Sequence, residues 1–212
     1  MNAILDAILE TRLIGIIRMP RYAFPVEVTG ALVDGGLTIL EFTLSGEGAL
    51  NAIKAANAAF SGQAHIGAGT VLTPADVTAA AGVGAEFVVT PSINRKVIDA
   101  CQQIGMPIVC GALTPTEITD ALEAGVELIK LFPARSGGPQ YVRDLLGPLP
   151  KLRLAPTGGV TAENAASFLT AGAVAVAIGG NLVSAEDVSQ QRFSEITRRA
   201  KACVQAVART GE

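Results

Sequence analysis

EAGVELIK, residues Glu123 to Lys130, sets a helix-ending glycine a few residues before an apolar run. The same arrangement recurs in DGGLTILE (Asp34–Glu41), GVGAEFVV (Gly82–Val89) and TAGAVAVA (Thr170–Ala177). Glycine accepts the left-handed conformation that follows a helix end. A short run that is apolar on both faces belongs to a strand covered on both sides, as in a parallel sheet flanked by helices. The repeats lie roughly two strand–helix units apart, as paired quarter-turns of a barrel would.

Periodicity fills in the chain between them. Helices are expected over 2–11, 22–34, 49–60, from Thr73-Pro74 onward, 95–103, 114–123, 139–146, 162–170 and 188–207. Strands are expected over 13–17, 38–43, 65–69, 87–90, 107–110, 128–131, 153–155 and 174–178. Thr73 caps its helix with Pro74 at the first position, and Thr114-Pro115-Thr116-Glu117 is a capping box. Strands and helices that alternate in this way fit one α/β domain over 1–212, a closed (β/α)₈ TIM barrel with an N-terminal helix. A doubly wound open sheet is the alternative, but no GxGxxG follows the first strand.

Composition narrows the function. Of 212 residues, 50% are apolar and 17% charged, with a net charge of −3, which excludes a disordered chain and offers nucleic acid no basic surface. No apolar run reaches the length of a membrane span, and the N-terminus carries no cleavage pattern. The three cysteines, Cys101, Cys110 and Cys203, read as core residues of a cytoplasmic protein. The single histidine, His65, begins an apolar strand and reads as structural. One imidazole cannot build a multi-histidine zinc site, and no nucleophile-elbow serine is present.

A barrel carries its chemistry at the carboxyl ends of its strands. Those ends are polar and glycine-rich here, and two charges stand out. Lys130 lies inside the apolar run VELIKLFPA, where burial penalises an ammonium, and a neutral amine is a nucleophile for carbonyl carbon. A stem covered by the strand with its head in water is the bland alternative. In LTILEFTL, alternation sets Ile39, Glu41 and Thr43 on one face and Leu40, Phe42 and Leu44 on the other. The fully apolar face suits the helices, so Glu41 points into the barrel toward Lys130. A purely structural ion pair of Glu41 with Arg18 or Lys130 is the competing reading. Strands seven and eight end in PTGGV and AIGGN, a place where backbone amides can surround a phosphate. With few basic residues near, that site is expected to rely on amides rather than arginine clamps.

LEFTLSGEGAL, HIGAGTVLTPADV, FVVTPSIN, LIKLFPA and APTGGVTAENAASFLTAGAVAVAIGGNLV, in this order, resemble the family of 2-keto-3-deoxy-6-phosphogluconate and 4-hydroxy-2-oxoglutarate aldolases. The resemblance implies a metal-free, cofactor-free class I aldolase on a (β/α)₈ barrel, usually a homotrimer. Its partner would be a small phosphorylated 2-keto-3-deoxy sugar acid, with no nucleic acid or membrane. It makes Lys130 the Schiff-base lysine and Glu41 the general acid/base. Thr70 and Pro91 would line the pyruvate end, Phe132 would pack beside the lysine, and Arg18 would lie near the amine. Thr157, Gly158, Gly159, Gly179 and Gly180 would hold substrate hydroxyl and phosphate. Two positions depart from the family. Ser45 stands where the gluconate enzymes carry a carboxylate-binding arginine, and Asn181 replaces a serine but can still donate to phosphate. The expected reaction is cleavage of the gluconate acid to pyruvate and glyceraldehyde 3-phosphate. Alternatives are the galactonate epimer, a phosphate-binding isomerase or epimerase, and a non-catalytic sugar-phosphate binder.

Overall fold

The computed structural model describes residues 3–180 and 182–208. In chain order it contains α1 (Ala3–Thr11), β1 (Leu13–Ile17), α2 (Pro25–Asp34), β2 (Ile39–Thr43), α3 (Ala49–Phe60) and β3 (His65–Gly69). Next come α4 (Pro74–Gly82), β4 (Val88–Val89), α5 (Arg95–Gln103), β5 (Ile108–Ala112), α6 (Pro115–Glu123) and β6 (Leu128–Leu131). A 3₁₀ turn (Ala134–Ser136), α7 (Gly138–Leu146), α8 (Ala165–Thr170), β7 (Val176–Ile178), α9 (Ala185–Ser189) and α10 (Phe193–Ala208) complete it. No helix among the described residues is long and apolar enough to cross a membrane.

The strands pair in parallel in the order β6-β5-β4-β3-β2-β1-β7. Alternation along them creates two cores. Leu13, Ile17, Leu40, Phe42, Ile66, Ile129, Leu131 and Val176 face the helices. Ile14, Ile16, Ile39, Val89, Val109, Leu128 and Ala177 face the other way and form an inner core with Ile4, Leu5 and Ile8 of α1. The N-terminal helix therefore covers the inner core. Its expected first residue, Asn2, lies outside the described residues.

The expected ring of eight regular strands is not what forms. Among the described residues seven regular strands make an open sheet, and the segment 153–157 makes only single bridges, Leu154 with Ile129 and Thr157 with Ala177. Pro156 is the physical reason, since it has no N–H to give to a ladder. The segment is nonetheless bonded on both sides. Ala155 N–H donates to Ile129 C=O at 2.8 Å and Thr157 N–H to Leu131 C=O at 2.9 Å. Val174 N–H donates to Leu154 C=O and Ala177 N–H to Pro156 C=O, each at 3.0 Å.

Other boundaries move for local reasons. α2 begins at Pro25 rather than Tyr22, because a residue before proline avoids the helical region, and Phe24 sits at φ 52. The expected helix over 188–207 is split by Gln191 at φ 52, where Arg192 N–H closes onto Asp187 C=O. Both expected caps form: Thr73 with Asp76 and Thr114 with Glu117 are capping boxes.

Close backbone approach also shapes the inner face. A Cβ on Gly111 would lie 2.3 Å from the Pro91 carbonyl carbon. Gly111→Ala is expected to lower stability by about 1–3 kcal/mol through overpacking. The shift in the urea midpoint, with an unchanged slope, measures it.

Candidate active site

Strand alternation decides which side chains meet. Glu41 follows Ile39 on β2 by two residues, and Lys130 follows Leu128 on β6 by two, so both continue the inner face. Lys130 is 3% exposed and Glu41 1% exposed. Lys130 Nζ lies 3.8 Å from Glu41 Oε1, too long for a hydrogen bond. Both carboxylate oxygens are buried and accept no hydrogen bond from the described residues. Burial raises the carboxyl of Glu41 above the ordinary range, and the charges of Lys130 and Arg18 only oppose that rise. The group is thus a desolvated proton acceptor with free lone pairs beside a buried amine.

Glycine lets neighbouring backbone pack closely beside this pair. Gly69 is beside Glu41, where a Cβ would come within 2.9 Å of its carboxyl carbon, and Gly111 is paired in register with Lys130. Lys130 Nζ also sits 5.4 Å above the ring of Phe132.

Phe132 connects the pair to a cavity of about 380 Å³ at the same end of the strands. Arg18, Phe132, Thr157, Gly158, Gly159, Gly179 and Gly180 line it, so seven of the expected residues come together. The hydroxyl of Thr157 donates to Ala155 C=O at 3.0 Å, which leaves it only lone pairs to offer a ligand. Lys130, Glu41, Thr70, Pro91 and Ser45 are not in this lining. Thr70 is at φ 58 just past β3, and Pro91 packs its carbonyl against Gly111. Ser45 is exposed, with its Oγ 3.2 Å from Thr43 Oγ1. Asn181 lies outside the described residues. His65 is at the opposite end of β3, where it pairs with Glu86 at 2.8 Å. A larger depression of about 660 Å³ lies between α2 and α10, lined by residues such as Glu27, Phe193 and Lys201 and away from the strand ends.

Two basic side chains stand beside the loop amides: Arg135, which the sequence reading did not single out, lines the cavity with Arg18. It follows Ala134 at the end of the LFPA run, so proximity in sequence to Lys130 was the available signal.

A buried amine beside a carboxylate that accepts no hydrogen bond, with an arginine- and glycine-lined cavity on the far side of Phe132, is the arrangement of an enzyme. The chain belongs to the KDPG and KHG aldolase family, whose model matches residues 4–199. It is 36% identical to the 2-dehydro-3-deoxy-6-phosphogalactonate aldolase of Escherichia coli, over 84% of this chain and 87% of that one. It is 33% identical to the 2-dehydro-3-deoxy-phosphogluconate aldolase of Haemophilus influenzae, over 92% of each chain. The crystal structure of KDPG aldolase from Legionella pneumophila, with pyruvate captured at low pH as a covalent carbinolamine intermediate, superposes with a TM-score of 0.87. That pair is 28% identical and the match covers 93% of this chain and 96% of that one.

The loop after β7 is anchored from behind by a carboxylate that pattern reading passed over. Asp187 is buried and accepts from Ser184 at 2.5 Å, from Arg192 Nε at 2.8 Å and from Arg199. Arg199 also donates to Leu182 C=O at 3.2 Å. The Ser184 hydrogen bond first, then Arg199 and Arg192, hold the Asp187 carboxyl well below its usual range. A depressed folded value gives stability that is complete above the unfolded pKa, about 3.9, and fades as pH falls through the folded one. Asp187→Asn should therefore cost about 1–3 kcal/mol at pH 7. Denaturation at a series of pH values should show that deficit shrinking below about pH 4.

Proposed function

We propose that the chain is a metal-independent class I aldolase that cleaves 2-keto-3-deoxy-6-phosphogluconate to pyruvate and glyceraldehyde 3-phosphate. The observation that carries this reading is the unpartnered Glu41 carboxylate 3.8 Å from the buried amine of Lys130. Lys130 Nζ attacks the keto carbon, and loss of water leaves an iminium. Glu41 takes the proton of the hydroxyl on the fourth carbon. The bond between the third and fourth carbons breaks, its electrons enter the iminium to give an enamine, and the aldehyde leaves. Glu41 returns its proton to the third carbon, and hydrolysis of the new iminium frees pyruvate.

Thr70 and Pro91 bound the pyruvate end in this proposal, and Arg18, with Ser45 and backbone amides, meets the carboxylate. Gly158, Gly159, Gly179, Gly180 and Asn181 surround the phosphate. 4-Hydroxy-2-oxoglutarate is a second substrate. The chain acts as one domain over 1–212 in the cytoplasm, as a homotrimer. Its architecture is a (β/α)₈ barrel in which 153–157 takes the place of a strand, and the hydrogen bonds of that segment to β6 and β7 support this.

Lys130→Met keeps the stem and removes the amine, so turnover should fall at least ~10³-fold. Borohydride with pyruvate should no longer trap an adduct, and a variant that keeps a tenth of the wild-type rate removes Lys130 from the mechanism. Glu41→Gln should lower turnover about 10²–10⁴-fold and slow exchange of pyruvate methyl protons into deuterated water. The base form of Glu41 is lost as pH falls through its raised value. The wild-type rate should therefore show an acid limb above the ordinary glutamate pKa of about 4.3, absent in Glu41→Gln.

The galactonate epimer is a second reading, favoured by the Escherichia coli relative. The epimers differ at the fourth carbon, between Glu41 and the end of 153–157. Thr157 presents only an acceptor there, suited to the fifth-carbon hydroxyl, whose proton Glu41 does not take and whose place follows the configuration of the fourth carbon. An unmet partner costs about 1–3 kcal/mol, so the gluconate epimer should be preferred roughly tenfold. Thr157→Val should erase the ratio of kcat/KM, and a wild-type preference for the galactonate epimer would overturn the assignment.

A further inference from the structure

Arg135 sits in the 3₁₀ turn behind Pro133. Its N–H donates to Gly158 C=O at 2.9 Å, which ties its backbone to the Gly158–Gly159 loop. A Cβ on Gly159 would come within 2.7 Å of the Arg135 Cβ, so the arginine stem lies directly against this glycine. Arg135 and Arg18 line the same cavity as Gly158–Gly159 and Gly179–Gly180, and no acidic side chain lines it. Neither arginine forms an ion pair among the described residues, whereas Arg192 and Arg199 near the other loop are both held by Asp187. An arginine with no carboxylate beside it, aligned with exposed loop backbone, is a ready acceptor site for a dianion. Its guanidinium can bond two phosphate oxygens at once, which glycine amides cannot do with charge. At the other end of the site the neutral Ser45 holds the place of an arginine, which leaves Arg18 to the carboxylate and Arg135 to the distal end.

We infer that Arg135 is a specificity-determining residue that clamps the terminal phosphate of the substrate, so the enzyme selects acids phosphorylated at the end distal to the keto group. The inference rests on the aldolase reading for the identity of the substrate. The clamp itself is a claim about phosphate esters.

Two measurements test it. In the first, 2-keto-3-deoxygluconate is compared with and without its 6-phosphate. Arg135→Ala should lower the phosphorylated-to-unphosphorylated ratio of kcat/KM by about 10- to 100-fold, mainly through KM. Arg135→Lys, which keeps the charge but loses the fork, should recover part of it. In the second, calorimetry follows binding of glycerol 3-phosphate to the free enzyme, with glycerol as the control. The same substitution should weaken that binding by a similar factor. A ratio and a glycerol 3-phosphate affinity that both stay within about twofold of wild type overturn the clamp. Wild-type enzyme that binds glycerol 3-phosphate through Arg135 but forms no borohydride adduct with pyruvate refutes the aldolase reading and leaves the clamp standing.

Discussion

The buried contact between Lys130 and Glu41 is the constraint on which the rest depends. Taking an amine and a carboxylate out of water costs several kcal/mol per ion, and a contact of 3.8 Å with two unbonded carboxylate oxygens does not repay it. A fold selected for stability alone would have filled these positions with leucine or isoleucine, as it does one turn of the pleat earlier at Ile39 and Leu128. The pair persists because the surrounding sheet over-determines it. Both residues sit in strands buried on both faces, paired in parallel along their whole length. The inner core below them is sealed by Ile4, Leu5 and Ile8. The cost is met by apolar packing at the amino ends of the strands, and the carboxyl ends are left to chemistry.

Charge is distributed along the site with the same economy. Arg18 lies where its charge opposes the rise of the Glu41 carboxyl while it also lines the cavity, so it links the reacting end to the anion end. Arg135 adds a second cation at the Gly158–Gly159 loop. Behind the other loop, Asp187 gathers Ser184, Arg192 and Arg199, and Arg199 reaches back to Leu182. The backbone beyond β7 is therefore held at Leu182 by side chains that do not line the cavity. Asp187 engages Arg192 and Arg199, whereas Arg18 and Arg135, which line the cavity, form no ion pair among the described residues.

Much of this was legible in the sequence. Alternation in LTILEFTL assigned Glu41 to the inner face, and the recurring glycine-then-strand pattern set the order of strands and helices. The failures have local causes. Pro156 breaks the ladder that apolarity predicts for 153–155, while the backbone still bonds to both neighbours. Pro25 and Gln191 decide where α2 begins and where α10 separates from α9, and periodicity carries no information about a single residue with positive φ. Arg135 escaped because its role comes from a loop more than twenty residues downstream in the chain, brought to it by hydrogen bonds and not by spacing. The resemblance gives Thr157 a substrate hydroxyl to hold, but that its own proton is committed to Ala155 C=O is visible only in the geometry.

The glycines of the site divide by what they are for, and the division bears on whether the rim is a turn or a binding surface. Gly69, Gly111 and Gly179 have ordinary backbone angles, so a turn does not require them. What excludes a side chain there is contact: with the Glu41 carboxyl, with the Pro91 backbone and with Ile16. Gly158 and Gly159 combine both demands, with φ of 86° and 89° and with Phe132 and Arg135 packed against them. Glycine used only for chain reversal would not also need to be empty on the side that faces Phe132, Arg135 and Glu41. At all five positions the missing side chain lets the protein close on itself, and at Gly158 and Gly159 it lets Phe132 and Arg135 pack directly against the loop that lines the cavity.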